Sequence, residues 1–521
     1  MKIYSIFTFV ILFAISSVSF AQQNVEFNQF KKQVSENPNN VKALSGLGEC
    51  YYQIQKYDSA YFFLNKAQTL SPDDAMITIS VAKAQFQLGK KDVAEILFAQ
   101  ALKQDKKSSK IPVTISKAYY EGKTKDLEKA SFYSTEAKKL NSRDAQAYLV
   151  AGDVLLLKEV YNEAAVQYEQ SMYFDSTNYE PQIKLADIYI LAHNYKLTKK
   201  FANNVLRLKP DYYQAYSRLG DANYELGKYE EAIKAYAEFL AKEPNNEDVQ
   251  RKYAFSLFFN KNYDLAQTEI AKIAKGDSTN HVMMRLTSYI NFEKGEFEKG
   301  AKLMEKFFAT VLPEKIITQD YEYMAKFQAE LGKDSLAIVN YNIAYSKDTT
   351  KITSLPEIAK LQGKMKKYDK SVETYELYMK KVSTPLNSDY FLLGKALYNA
   401  GNFTTDTILK KTYFEKADTT FGKVIELSTK SYLGYFWKGR VRSALDPETT
   451  LGLAKPQYEK TIEITASNTT KYKKELIESY SYLGYFYYVK NDATNSKINW
   501  SKILEIDPTN EKALQAIKEI K

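Results

Sequence analysis

Cysteine is nearly missing from this 521-residue chain, with Cys50 standing alone. One thiol cannot close an intrachain disulfide, so no covalent staple sets the fold. Histidine is almost as scarce. His193 and His281 are the only two, and neither has a His, Cys or carboxylate at the spacing that puts two metal ligands on one helix face. A zinc or haem centre finds no ligand set. No glycine-rich phosphate loop opens a helix, and no nucleophile elbow appears. Paired carboxylates such as Glu230 and Glu231 read as a solvated helix face rather than an acid–base pair. Asn402-Phe403-Thr404 and Asn468-Thr469-Thr470 match a glycosylation sequon, a pattern short enough to arise by chance. The expectation is a non-enzymatic protein with no cofactor and no metal.

Long apolar runs are also lacking, with one exception. Lys2 is followed by the run Ile3 to Val18, then by small Ser19 and Ala21 and polar Gln22, Gln23 and Asn24. That is the layout of a signal peptide, residues 1–21, cleaved after Ala21. The run is short for a bilayer span, and no later run reaches that length. The chain is expected to be exported, to a periplasm or, alternatively, to the medium. No cysteine lies just after the cleavage site to carry a lipid. The net charge is +10. The basic residues are interspersed with 63 acidic ones, which reads as a solvated surface, and export argues against nucleic acid as partner.

What is present is apolar residue at 45% and aromatic residue at 14%, with 43 Tyr against 2 Trp. Only 12 Pro and 19 Gly punctuate the chain, as suits many helices joined by tight turns. Tyrosine on such helices is expected to bury its ring and leave its hydroxyl wet. Cys50 falls on the inner side of a helix, as a small buried residue.

The clearest organisation lies between Pro210 and Asn246. Tyr216, Leu219, Gly220 and Tyr224 share one helical segment, Gly227 and Lys228 break it, and Tyr229, Ala232, Tyr236, Phe239 and Leu240 mark a second, closed by Pro244. The spacing resembles the tetratricopeptide repeat, a 34-residue helix–turn–helix. Asn223 departs from it, standing where the family's first tyrosine usually falls, with Tyr224 one place later. The small eighth position recurs as Gly48, Ala82, Ser116, Gly152, Ala186, Gly220, Ala254, Ser288, Ala325, Ala359, Gly394, Gly439 and Gly484. The small twentieth position recurs in step, from Ala60 and Ala94 through Ala232 and Gly300 to Ser496. A unit this short cannot bury its apolar surface alone and needs a stacked neighbour.

The resemblance implies an all-α fold, a right-handed superhelical solenoid of stacked antiparallel helix pairs. The expected organisation is a capping half-repeat over 22–40, repeats 1–8 over 41–312, repeats 9–13 over 313–510 with insertions near 402–412 and 446–476, and a capping helix over 511–521. Pro313 marks the best internal break, read as a kink in one continuous array or as a division into two.

The resemblance further implies that first helices line a concave side, with the ninth position looking inward. That row is Glu49, Lys83, Lys117, Asp153, Asp187, Asp221, Phe255, Tyr289, Lys326, Lys360, Lys395, Arg440 and Tyr485. It runs from mixed to acidic to aromatic to basic. Arg251, Phe258, Arg285, Phe292, Lys364 and Tyr398 lie beside it, and Phe258 is expected to be the aromatic most open to the groove. Aromatic surface with arginine is hot-spot composition. The expected function is a scaffold that recruits or assembles proteins at the cell envelope, with a protein or peptide partner carrying acidic and aromatic segments. Polysaccharide stacking on the same aromatics is the alternative.

Overall fold

A helix needs something to receive its free N-terminal N–H groups, and here asparagine and aspartate do so at regular intervals. Asn40, Asp74, Asp144, Asn246, Asn280 and Asn510 each accept a backbone N–H from the first turn of the helix that follows. The computed structural model describes residues 20–122, 125–274 and 280–520. Most of the leader, and the longer turn expected near Lys123, lie outside the described residues. Among the described residues there are 28 α-helices, two 3-10 turns and no strand, so the chain is an all-α repeat array. No described helix is long and apolar enough to cross a membrane.

The helices group into two units, one ending at Glu269 and one beginning at Ile270. In each unit, successive helices pack in pairs, and each pair packs on the next. The first unit opens with the helix Phe20–Glu36, which packs on Val41–Gln53. The second ends with the short helix Glu511–Glu519 against Ala493–Ile506.

The two small positions explain how closely each pair can cross. Every residue in the eighth-position row is buried, and so is every residue in the twentieth. Gly220 shows why. A Cβ there would sit 2.4 Å from the ring of Tyr236, whose side chain is fully buried. Where one of the two small residues is serine, its hydroxyl bridges the crossing. Ser116 donates to the carbonyl of Ala130 at 2.7 Å, Ser288 to Gly300 at 2.9 Å, Ser371 to Ala359 at 2.7 Å and Ser496 to Gly484 at 2.7 Å. A buried hydroxyl requires such a partner.

The turn between paired helices is equally constrained. One residue in it takes a left-handed backbone conformation. Glycine fills that place at Gly89, Gly227, Gly295 and Gly332, but Gln55, Glu159, His193, Lys261, Lys366 and Asn491 adopt it with positive φ near 60°. His193 is thus a turn residue, its Nδ1 2.7 Å from the Tyr195 hydroxyl.

Extra residues are absorbed in different ways, as a short turn, as longer helix or, over residues 446–454, as a loop. After Thr310, a 3-10 turn Pro313–Lys315 precedes the helix Thr318–Glu330. The excess near 402–412 lengthens both members of a pair, Asn387–Phe403 and Thr407–Leu427, and leaves a link of only residues 404–406 between them. In the following repeat, Asp446 is buried and one of its carboxylate oxygens accepts the N–H groups of Leu451 at 3.0 Å and Gly452 at 2.8 Å.

Cys50 is buried. Burial, then the charges of Glu26 and Glu49, push its thiol up, which keeps it protonated and inert. The expectation of wet tyrosine hydroxyls needs correction. Tyr168 donates to Asp153, Tyr236 to Asp221, Tyr289 to Asp320 and Tyr458 to Glu478. A phenol buried this deeply has no water to meet, and a carboxylate takes its place.

Candidate functional site

Several first helices touch the first helix of the next repeat, as Ala75–Gln87 does Lys110–Glu121 and Gln214–Glu225 does Glu247–Phe259, while among the described residues second helices make no comparable contact with one another. The first-helix layer is therefore the tighter, inner side of each stack. One rule recurs in its geometry: the ninth position of a repeat faces the sixth position of the next, at Asp153, Asp187, Asp221, Tyr289 and Lys395.

In the first unit that rule pairs opposite charges. Asp153 faces Lys184 at 4.0 Å, Asp187 faces Arg218 at 2.7 Å and Asp221 faces Lys252 at 3.0 Å. Asp187 holds the Arg218 guanidinium firmly charged. Burial works to lower Lys252, but Asp221 and Asp248 outweigh it and keep its ammonium raised. Nearer the start, Lys83 lies 3.4 Å from Glu49 and 4.3 Å from the centre of the Tyr52 ring. The acidic stretch of the row is thus already neutralised from within the protein.

The aromatic stretch is largely spent on packing. Phe258 is only 7% exposed, whereas Phe259 is 38% exposed, the reverse of the sequence expectation. Adjacent helix residues point about 100° apart, and Phe258 is the one turned into the pair, against Phe259 at 5.3 Å and Tyr263 at 5.9 Å. Phe259 instead stacks over Tyr229 at 5.0 Å. Phe255 is half-buried, and Arg251 reaches Asp248 in its own first turn at 3.3 Å.

In the second unit, Arg285 and Tyr289 hold structure. Asp320 is fully buried and accepts Arg285 through both oxygens, at 2.7 and 2.9 Å, and the Tyr289 hydroxyl at 2.7 Å. It also caps the N–H of Ile317. Tyr289 is buried and stacked on Tyr323 at 3.8 Å, the ninth-to-sixth contact again. These two side chains lock the segment around Pro313 rather than lining an open groove. Phe292 is half-buried between Phe297, Tyr323 and Phe327.

The basic stretch differs. Lys326 lies over Tyr323 at 4.6 Å. Lys360 is exposed, 3.6 Å from Glu357 one turn away, and Lys364 meets Asp334 at 2.8 Å. Lys395 lies over the ring of Trp437 at 5.1 Å and near Phe391 at 5.8 Å. Among the described residues neither Lys326 nor Lys395 has a carboxylate at ion-pair distance. Trp437 occupies a sixth position, so an aromatic ring stands where the first unit places a counter-charge. Tyr398 packs on the same ring at 5.6 Å. Arg440 lies 4.8 Å from it and is held by Glu478 at 2.7 Å, which also accepts the Tyr458 hydroxyl at 3.1 Å.

A partly buried indole with an ammonium and a guanidinium close to its ring is thus assembled from the helices Asn387–Phe403 and Tyr432–Leu445. Lys395, Tyr398 and Arg440 come together here as the sequence row suggests. Trp437 escapes the sequence reading because neither the ninth-position row nor the residues chosen beside it include a sixth position. The sixth position, which carries Lys184, Arg218 and Lys252, holds the signal that would have found it. Tyr485 stands apart, exposed on the helix Lys473–Val489 beside exposed Tyr488. No described group of His, Cys, Asp or Glu residues could hold a metal ion.

Comparison with known proteins bears on this architecture. Family profiles described as Tetratricopeptide repeat match residues 41–74 and 213–246. The small glutamine-rich tetratricopeptide repeat-containing protein 2 of Saccharomyces cerevisiae is 30% identical over 111 residues, which cover 21% of this chain and 32% of the yeast protein. The chain therefore spans about a third of the length of the curated relative it matches. The C-terminal part of a TPR repeat-containing protein from Cytophaga hutchinsonii is 32% identical, covering 51% of this chain and 99% of that one, with a TM-score of 0.45. YrrB, described as a TPR protein with an unusual peptide-binding site, is 20% identical over 36% of this chain and 95% of its own, with a TM-score of 0.33. Matched repeats in the first unit and a relative of above 30% identity covered almost end to end agree with the buried small-residue crossings, and the chain belongs to the tetratricopeptide repeat family.

Proposed function

We propose that the protein is a non-enzymatic scaffold that binds another protein through its first helices, and that the second unit carries the principal contact. The observation behind this reading is the contrast between the first-helix layers of the two units. Asp153, Asp187 and Asp221 each have a cation from the next repeat, whereas Lys395 faces the Trp437 ring. A cation resting on an aromatic face keeps its charge available to an outside carboxylate. The partner is accordingly a protein segment with acidic residues next to an aromatic or aliphatic anchor. Lys360 extends the same basic row. Sugar stacking is less favoured at this cluster, since Lys395 and Arg440 lie close to the indole that a sugar ring would need.

We place this activity in an exported compartment, a periplasm or the surrounding medium, on the strength of the leader in residues 1–21. The mature chain would then begin at Gln22, which terminal sequencing of the exported protein checks.

Crosslinking in the native cell followed by affinity purification tests the binding reading. Trp437→Ala and Lys395→Glu should each lower recovery of the crosslinked partner about tenfold, the effect of losing a hot-spot residue, with helix content unchanged. Undiminished recovery with both variants sinks the site. A thermal shift with an oligosaccharide alone would favour the sugar reading instead.

A further inference from the structure

The helices Asn387–Phe403 and Thr407–Leu427 reach beyond the ordinary repeat, because 45 residues rather than 34 separate Gly394 from Gly439. The far end of this hairpin is apolar and open. Phe403 is 63% exposed, Ile408 77% and Leu409 44%. They are not presented on a fraying end. One oxygen of Asp406 accepts the N–H groups of Ile408 at 2.8 Å and Leu409 at 3.0 Å, which fixes the first turn of the second helix. The Phe403 ring stacks on Tyr368 at 4.6 Å. The Tyr413 hydroxyl donates to Asp369 at 2.9 Å, and Lys416 bonds Glu376 at 2.8 Å. Three contacts thus tie the hairpin to the neighbouring helix Tyr368–Lys381.

The same contacts bring a basic turn beside the apolar end. Lys366 and Lys367 immediately precede Tyr368, Lys370 follows it and Lys410 follows Leu409, all four exposed. None has an ion-pair partner among the described residues. The nearby acids Asp406 and Asp369 are engaged in the bonds just described. Three protruding apolar side chains rimmed by lysines in excess of the nearby carboxylates are complementary to a surface that is apolar within and anionic at its edge. A bilayer interface has both properties and demands no matching pocket.

We propose that the tip formed by Phe403, Ile408 and Leu409 is a membrane-contact site, which inserts these side chains into the headgroup layer of an anionic lipid surface while Lys366, Lys367, Lys370 and Lys410 meet the lipid phosphates. The site is separate from the Trp437 cluster and does not depend on it.

Sedimentation of the full chain with phosphatidylcholine vesicles, with and without phosphatidylglycerol, tests this. The unaltered protein should pellet with the anionic vesicles and much less with the neutral ones. An Ile408→Ser/Leu409→Ser double variant should partition about tenfold less, since two apolar side chains no longer enter the interface. A Lys366→Glu/Lys367→Glu/Lys410→Glu variant should lose the preference for anionic lipid. Both variants alter only exposed side chains, and unchanged circular dichroism melts certify their folds. Trp437→Ala should pellet as the unaltered protein does. Failure of the unaltered protein to pellet with anionic vesicles, or equal pelleting of the serine variant, overturns the proposal.

Discussion

The glycine at the helix crossing shows what a single residue decides. At Gly220 the ring of Tyr236 fills the place of a side chain, and burying such a ring stabilises the fold by roughly 1.5–3 kcal/mol. Gly220→Leu should therefore cost about 1–3 kcal/mol or more through overpacking, read as a lower urea midpoint with helicity retained at zero denaturant. A midpoint equal to that of the unaltered protein would mean that the crossing opens freely, contrary to its close packing. This kind of residue was legible from sequence alone, because only a small side chain fits and the requirement returns every period. Phe258 and Phe259 were not. Two phenylalanines in succession satisfy the same composition, and which one turns inward depends on helix phase against Tyr229 and Tyr263, which composition does not contain. Asp320 was equally hidden, since its partner Arg285 lies 35 residues away and its role is defined only by the segment it pins.

At the scale of the element, the turns between paired helices carry stored strain. Gln55, Glu159, Lys261 and Lys366 hold the left-handed conformation that Gly89 and Gly227 hold without cost. An L-residue with a Cβ loses roughly 1–2 kcal/mol there. Lys261→Gly and Glu159→Gly should each raise stability by about 0.5–1 kcal/mol, after allowing for glycine's greater freedom when unfolded, measured by thermal or denaturant unfolding. No gain, or a loss, in both would show that the side chains make compensating contacts. The insertions teach the complementary lesson. Their lengths are plain in the spacing of Gly394 and Gly439. That the surplus lengthens two helices instead of forming a loop is not, because it depends on Asp406 capping one helix and on Phe403 finding Tyr368. The Trp437 cluster was half legible for a similar reason: Lys395 and Arg440 repeat in phase with the inward row, but the ring between them belongs to a different register.

Over the molecule as a whole, tyrosine makes stability respond to alkali. Burial first, helped by nearby carboxylates, holds Tyr119, Tyr212, Tyr224 and Tyr375 above the ordinary phenol value, up to about 12. A phenol with a raised folded pKa contributes stability that is whole below its unfolded value of about 10 and is lost as pH rises through the folded value. Far-UV ellipticity should stay level to about pH 10 and fall between about 10 and 12, with tyrosinate absorbance rising in the same window. Ellipticity that persists while every tyrosine ionises near its ordinary value would contradict the buried, carboxylate-bonded phenols described above.

The charge pairing along the first-helix wall also bears on how such a chain can change length. From Asp153 to Lys252 each acid meets the base 31 residues downstream, and the motif returns every 34. Cutting out one period there, or copying one in, leaves acids opposite bases at the new seam. Replication slippage in this stretch would thus leave acids facing bases, whereas a deletion with one end between Lys395 and Trp437 would part that pair. The seam in the first stretch tolerates a change of count that the second does not.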